Sequence, residues 1–243
     1  MLKFQKNGLV KMYLNNLLGA ADPIVDWELF QSSLWPMIQG GIQYTIPLTL
    51  ISFTIGIIIA LLTALARLSN SKILAGIARV YVSAIRGTPL LVQLSIIFFG
   101  LASIGLVIDP FPSAVIAFSL NVGAYASEII RASILSVPKG QWEAGHAIGM
   151  THKQALTRII LPQATRVSIP PLSNSFISLV KDTSLASTIL VTELFRKSQE
   201  IAARTYEFMQ LYITAAILYW IVCFTLSVIQ GRIEKRLDRY VAK

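Results

Sequence analysis

Charged residues are scarce in this chain: they make up 14% of the sequence, against about 25% in a typical soluble domain. Apolar residues account for 54% of the 243 positions. The net charge is +9, but the basic residues stand in short segments beside long apolar runs instead of forming one patch. This distribution excludes a nucleic-acid-binding role and predicts an all-α integral membrane protein in contact with lipid.

Cysteine is nearly absent, since Cys223 in the last apolar run is the only one. A single cysteine excludes an intrachain disulfide framework and a cysteine-rich metal site. His146 and His152 stand apart from any cluster of ligands and are predicted to be surface residues. No catalytic residues, bound metal or cofactor are therefore predicted in this chain.

Two further signals are missing from the sequence. Residues 1–20 lack the clean apolar core and small-residue cleavage site of a signal peptide. No segment fits G-x-x-x-x-G-K-[ST], the loop that cradles the phosphates of ATP. If the protein works by ATP hydrolysis, a partner chain must bind the ATP.

Five apolar segments are long enough to cross a bilayer, which takes roughly 20 residues of helix. They lie at about 42–66, 89–108, 113–135, 167–190 and 209–230. A shorter apolar run at 73–85 contains Gly76 and Arg79. It is predicted either to lead into the second span near the membrane interface or to be a tilted extension of that span. A sixth full span is the competing interpretation.

Basic residues predict the orientation, because loops rich in Lys and Arg stay in the cytoplasm. Segment 131–166 and the connection before the second span are basic, whereas the connection around Asp109 holds no basic residue. Five spans then place the N-terminus outside and the C-terminus in the cytoplasm.

We divide the chain into a tail (1–38) that can form an amphipathic helix, a transmembrane domain (39–232) with a cytoplasmic loop (136–165), and a basic tail (233–243).

The cytoplasmic loop contains the most specific motif. Its residues follow the spacing E-A-A-x3-G-x9-I-x-L-P, with glycine in place of the usual third residue. They are Glu143, Ala144, Gly145, Gly149, Leu161 and Pro162. The spacing predicts a short helix ended by the second glycine, then a second helix opened at 150–151. The motif resembles the EAA loop of ABC-importer permeases, which implies that the short helix docks on an ATPase subunit; the alternative is an ordinary amphipathic loop.

A second motif, R-G-T-P-L-L-V-Q, begins at Arg86. Thr88 is predicted to cap a helix whose first residue is Pro89. A helix N-terminus at membrane depth has unpaired N–H groups and suits a substrate carboxylate. The alternative is a simple start of a span, with Arg86 anchored to lipid phosphates.

Polar residues inside the spans indicate a substrate pathway, because such residues are costly in a membrane. The predicted pathway residues are Arg86, Asn121, Glu128, Ser178 and Lys181. A pair of Glu128 with Arg131 that satisfies only itself is the alternative in the third span, and a dimer seam is the alternative in the fourth. Pro170 and Pro171 are predicted to break the fourth span where it leaves the loop. The charged connection at 193–207 is predicted to be a solvated outer face, which could also dock a substrate-delivery protein.

Together these motifs resemble polar amino-acid ABC permeases of the histidine, glutamine and arginine class, over about 27–239. Segments 141–144, 170–185 and 193–196 resemble bacterial L-cystine permeases in particular. The resemblance implies a type I importer in the bacterial plasma membrane. Such an importer has two permease subunits, identical or different, two cytoplasmic ATPase subunits and an extracytoplasmic amino-acid-binding protein.

The resemblance also implies the cargo, which is L-cystine or another polar amino acid such as glutamine, histidine or arginine. Two alternatives come from other classes of protein. One is an ion-coupled secondary transporter that works without partner chains. The other is a membrane anchor or sensor with no transport role.

Overall fold

The computed structural model describes residues 26–238, and this part of the chain is helical without strands. Short 3₁₀ or π turns interrupt some helices. The elements in chain order are α1 (Trp27–Leu68), α2 (Lys72–Arg86), α3 (Leu90–Ser103), α4 (Pro110–Ser136), α5 (Lys139–Ala147), α6 (His152–Ala155), a π turn (Leu156–Ile160), α7 (Leu161–Asp182), a 3₁₀ turn (Thr183–Ile189), α8 (Leu194–Thr205) and α9 (Phe208–Asp238).

Helix α1 is much longer than one membrane crossing. Asp26 caps its start, because its carboxylate accepts from the N–H groups of Glu28 and Leu29 at 3.1 Å. The helix has 42 residues and is therefore about 63 Å long, with a π turn at Gly41–Thr45. Of the tail predicted as an amphipathic helix, residues 1–25 lie outside the described part of the chain.

The run at 73–85 forms helix α2, which meets α3 at an angle of 103°. It is therefore not a straight extension of the second span. The prediction that Thr88 caps α3 is wrong: its hydroxyl donates to the carbonyl of Ala84 at 2.9 Å, and the helix begins at Leu90 after an extended Pro89. Thr88 thus stabilises the end of α2 instead.

Helices α1 and α4 form the centre of the fold and cross at two glycines. A Cβ on Gly56 would lie 2.5 Å from Val122, and one on Gly123 would lie 2.6 Å from Ile59. Because real Cβ atoms do not approach so closely, only glycine allows this packing. Around the crossing lies the main hydrophobic core, which includes the fully buried Phe118.

Three described helices are long and apolar enough to cross a membrane: Trp27–Leu68, Pro110–Ser136 and Phe208–Arg236. The bent α2–α3 pair is a fourth candidate. Helix α7, predicted as a span, is more polar. It also runs on through Pro170 and Pro171, so the predicted break is wrong. Both prolines lack an N–H, but the packing of α7 against α4 and α9 keeps it helical.

Candidate functional site

The loop with the EAA-like motif forms a helix, a glycine turn and a second helix. Gly149 has φ +80° and follows the end of α5. The N–H of Met150 donates to the carbonyl of Gly145 at 3.1 Å, and the N–H of Gly149 donates to that of His146 at 2.9 Å, as in a Schellman turn. Thr151 and Gln154 then form a capping box at the start of α6. The helix–glycine–helix arrangement is as predicted.

Helix α5 lies tightly on the helix that follows it. A Cβ on Gly145 would lie 3.2 Å from both Ala155 Cβ and Ile159 Cδ1. The indole of Trp142 stacks on the imidazole of His152, with ring centroids 4.7 Å apart. These contacts join α5 to the start of the long helical segment that ends in α7.

Two motif residues of α5 face away from these contacts. Glu143 and Ala144 are exposed, whereas Gly145 is buried. Further along, Leu161 is partly buried and Pro162 is exposed. Glu143 therefore lies on the exposed face of a short helix, whose opposite face packs against the following helix through Gly145 and Trp142.

A hydrophobic cluster connects the loop to the spans. Its buried residues are Ile134, Val137, Ile160 and Ala164, and Leu65, Leu68, Trp142 and Leu161 pack against it. These residues come from α1, α4, α5 and the start of α7. The cluster therefore packs the loop directly against three of the long helices.

His146 and His152 are exposed, as predicted, but they do not stand alone. His152 lies between Trp142 and His146 in the stack, with 6.2 Å between the two imidazole centroids. Sequence reasoning missed this arrangement, although all three rings lie within 11 positions of one another. Across the residues that the structure describes, no group of His, Cys, Asp and Glu could hold a metal ion.

Glu128, predicted to line the substrate pathway, is surrounded by three arginines. Its carboxylate accepts from Arg67 and from Arg131, the latter at 3.0 Å, and Arg86 lies 3.5 Å away. The guanidinium of Arg86 also lies over the ring of Tyr125, 5.3 Å from its centroid. The cluster thus joins α1, α2 and α4 and carries excess positive charge.

Asn121 lies beside the bend between α2 and α3. Its amide donates to Gln93 Oε1 at 3.1 Å. The buried Gln93 in turn donates to the carbonyl of Ile85 at 2.7 Å and to that of Thr88 at 3.0 Å. Gln93 therefore holds the bend, and Asn121 orients Gln93. In the sequence, Gln93 is the last residue of the R-G-T-P-L-L-V-Q motif, and no role was predicted for it.

Ser178 and Lys181 lie near the C-terminal end of α7, whose N-terminal end joins the loop. Both are exposed in the single chain, as is Asn174. Spacings of four and three residues place these three side chains on one face of the helix. Lys181 lies in the last turn of α7, before the 3₁₀ turn. The helix thus presents a polar, cationic stripe whose three side chains are exposed, with α9 touching it at Asn174 through Gln230.

The connection between α7 and α9 differs from its prediction. Glu193 was predicted on a solvated face, but it is fully buried. Its carboxylate accepts from the N–H groups of Phe195 (2.8 Å) and Arg196 (2.7 Å) and from the hydroxyl of Tyr219 (2.6 Å). Burial raises the pKa of Glu193 to about 7 despite these donors.

The rest of α8 is more accessible. Glu200 lies between two basic neighbours, with its carboxylate 3.5 Å from Arg196 and 3.1 Å from Lys197. At the other end of the connection, Glu207 is exposed. Glu193 was misjudged because the residues that bind this segment are distant in sequence: Tyr219 donates to Glu193 itself, and Thr45 accepts from the N–H of the next residue, Leu194, at 3.3 Å.

Comparison with known proteins gives consistent matches. Residues 52–239 match the family described as "Binding-protein-dependent transport system inner membrane component". The chain is 67% identical to the L-cystine transport system permease protein TcyB of Bacillus subtilis (strain 168), over 96% of this chain and all of that protein. It is 39% identical to the glutamine transport system permease protein GlnP of Escherichia coli (strain K12), over 87% of this chain and 97% of that one.

Solved structures agree. A crystal structure of an amino acid ABC transporter with histidines superposes with a TM-score of 0.83 at 37% identity, over 88% of this chain and all of that one. The MetNI methionine ABC transporter in an inward-facing conformation has the same fold, with a TM-score of 0.72 at 20% identity, over 84% of this chain and 97% of that one.

Proposed function

The chain belongs to the inner membrane components of binding-protein-dependent transport systems, and from this premise we propose that it carries L-cystine across the membrane. It is the permease subunit of an ABC amino-acid importer, a transport protein and not an enzyme. The sequence resemblance to polar amino-acid permeases is confirmed. The proposal that L-cystine is the substrate rests on one observation, the 67% identity to an L-cystine permease over nearly the whole chain.

The proposed topology has five spans: α1, the bent α2–α3 pair, α4, α7 and α9. The N-terminus lies outside and the C-terminus lies in the cytoplasm, because the basic segments then face inward. This topology puts α5 in the cytoplasm and α8 on the outer face. The polar α7 counts as a span because its stripe faces a second permease subunit instead of lipid.

Helix α5 is proposed to couple the chain to a cytoplasmic ATPase, which binds and hydrolyses the ATP. Glu143 and Ala144 face outward to meet the partner, while Gly145 and Trp142 hold α5 on the following helix. Gly149 supplies the turn, and Leu161 and Pro162 begin α7. The full importer has two permease subunits, two ATPase subunits and an extracytoplasmic binding protein that delivers the amino acid.

The substrate pathway is proposed to follow the polar stripe of α7. Ser178 and Lys181 line it at the seam between the two permease subunits. Glu128 and Arg86 close its inner end, and Asn121 acts through the bend that Gln93 holds. A cavity with charges of both signs suits L-cystine, which carries two ammonium and two carboxylate groups.

The experiment is uptake of labelled L-cystine into proteoliposomes that contain the chain, the ATPase and the binding protein. We expect ATP-dependent uptake that excess glutamine, histidine or arginine does not abolish. Uptake of one of these amino acids in preference to L-cystine would make that one the substrate. Uptake by this chain alone, without ATP, would instead show an ion-coupled transporter.

The coupling assignment is tested by Glu143→Ala, with Asp109→Asn as the control because Asp109 is an exposed acid in another connection. We expect Glu143→Ala to insert normally but to lose most ATP-dependent uptake and to retain less ATPase during purification. Asp109→Asn should behave like the unmodified chain. Full uptake by the Glu143 variant would contradict the assignment.

The pathway is tested by Lys181→Gln, with Lys72→Gln as the control at the start of α2. Lys181→Gln should lower uptake while the amount of bound ATPase stays the same, because Lys181 is remote from α5. Equal uptake by the two variants would remove Lys181 from the pathway.

A further inference from the structure

A groove of about 290 Å³ lies between α1, α7 and α9. Its walls are almost entirely apolar. They include Phe53, Ile169, Phe176, Leu226, Ile229 and Ile233. The part of α7 that lines the groove runs from Ile169 to Ile177, a distance of about 12 Å along the helix axis. The groove therefore has the length and the apolar surface to hold part of an extended hydrocarbon chain.

Polar and aromatic contacts hold the walls of the groove in place. Gln230 on α9 donates to Asn174 Oδ1 on α7 at 2.9 Å. Phe53 and Phe176 meet edge to face, with ring centroids 5.0 Å apart. The three helices are thus fixed relative to one another around the opening, so the groove is a built feature of the fold.

The groove is separate from the proposed substrate pathway. Successive residues of a helix are rotated by about 100° around its axis. The residues of α7 that line the groove are therefore centred about 140° away from the stripe through Ser178 and Lys181. A second permease subunit on this stripe, as in the proposed pathway, therefore faces a different side of α7 from the groove.

Basic side chains lie at one end of the groove. Arg166 stands three residues before Ile169 on α7, and Arg236 stands three residues after Ile233 on α9, so each lies one turn beyond the lining on nearly the same face. Both are exposed. Gln230 joins α9 to Asn174 on α7, and the two helices run in opposite directions in the proposed topology, so the two arginines lie at the same end.

The charge at this end favours an anion. Segment 232–236 has three basic residues and one acid, Glu234. That carboxylate accepts from the amide of Gln230 at 2.8 Å. Guanidinium groups bind phosphate through paired, charge-assisted hydrogen bonds.

We propose that this groove binds an anionic glycerophospholipid, with one acyl chain against the apolar walls and the phosphate between Arg166 and Arg236. The lipid belongs to the cytoplasmic leaflet, a statement that rests on the orientation given under the proposed function. Basic residues at the cytoplasmic surface attract anionic lipid, and the groove adds a fixed place for its chain. The lipid then joins α7 to α9 at the end of α7 that connects to α5.

The test uses the full importer in phosphatidylcholine vesicles with a few per cent of a phosphatidylglycerol that carries a photoreactive group in its acyl chain. After irradiation, cross-linked peptides are mapped by mass spectrometry. We expect cross-links concentrated at Ile229 and Ile233, and competition by excess phosphatidylglycerol but not by phosphatidylcholine. The double variant Arg166→Gln/Arg236→Gln should lower them at least fivefold, whereas Lys72→Gln should not.

A second variant, Ile229→Trp, fills the groove and should lower cross-linking while both arginines remain. Labelling spread evenly to the exposed Trp220 and Phe224 would show general annular lipid and overturn the proposal. Cross-links between two copies of the chain at Ile229 would show a covered groove and also overturn it. The readout does not involve transport, so failure of L-cystine uptake and failure of lipid binding are distinguishable.

Discussion

Trp142 and His152 stack with their ring planes 14° apart, across the turn that separates α5 from α6. Trp142 also packs on the hydrophobic cluster that contains Leu65 and Ile160. One side chain therefore joins α5 to the helical segment that continues into α7 and to the end of α1. Because Glu143 is the next residue, the stack also fixes the direction of the carboxylate proposed to meet the ATPase.

Replacing Trp142 by Ala should uncouple transport from ATP hydrolysis. Aromatic stacking contributes about 0.5–1.5 kcal/mol beyond buried area, and without it α5 can shift without moving α7. We expect the amount of L-cystine imported per ATP hydrolysed, measured in proteoliposomes, to fall severalfold. His146→Ala removes only the outer ring of the stack and should have a smaller effect. Equal coupling ratios for Trp142→Ala and the unmodified importer would contradict the role of the stack.

Replacing Gln93 by Leu should destabilise the bend between α2 and α3. The carbonyls of Ile85 and Thr88 would lose their donor, and a buried unsatisfied polar group costs about 1–3 kcal/mol. The measurement is the thermal unfolding midpoint in detergent, which should fall by several degrees.

Two further variants identify the cause. Gln93→Glu keeps an acceptor for Asn121 but, when ionised, has no donor for the carbonyls, so it should be about as unstable as Gln93→Leu. Ser95→Ala removes a hydroxyl that donates only within its own helix and should be nearly neutral. A Gln93→Glu chain as stable as the unmodified one would show that donation to the bend does not matter.

The conformation of the loop at 136–165 could be predicted because its signals are local. Gly149 has the positive φ that its place after α5 requires, and Thr151 caps the next helix. Both roles follow from residues within a few positions of each other. The packing of Gly145 on Ala155 was not predictable in the same way, since nothing in the spacing gives the angle between the two helices.

The contacts inside the bundle could not be read from the sequence. A pair of Glu128 with its near neighbour Arg131 was the alternative to a pathway role, but its further partner Arg67 is 61 positions away. Glu193 stands among charged residues and was predicted to be solvated, yet it is bound by Tyr219, which is 26 positions away. Helical periodicity identifies a face of a helix but not the helix that covers it.

Glu193 should make the stability of the protein depend on pH. Its pKa of about 7 in the folded chain is above its ordinary value of 4.5, so the folded state holds a proton that the unfolded state releases between these values. The free energy of unfolding should therefore fall by on the order of 3 kcal/mol as the pH rises from about 4.5 to 7. Above and below this range Glu193 should change it little.

The measurement is the thermal unfolding midpoint of the unmodified chain and of Glu193→Gln at a series of pH values. Glutamine is neutral throughout, so the variant should lack the decline and should be relatively more stable at pH 8 than at pH 5. Glu200→Gln, on the accessible part of α8, is the control and should keep the decline. Parallel curves for Glu193→Gln and the unmodified chain would refute the assignment.

Two glycines separate the effect of packing from that of helix propensity. Gly56 and Gly76 are both helical, but a Cβ on Gly56 would lie 2.5 Å from Val122, whereas one on Gly76 would meet nothing within 4 Å. Gly56→Ala should therefore push α1 and α4 apart and cost about 1–3 kcal/mol, seen as a lower unfolding midpoint and lower yield. Gly76→Ala should be neutral or stabilising by up to about 1 kcal/mol, because alanine favours helix. If both variants unfolded at the same temperature, the close crossing of α1 and α4 would be wrong.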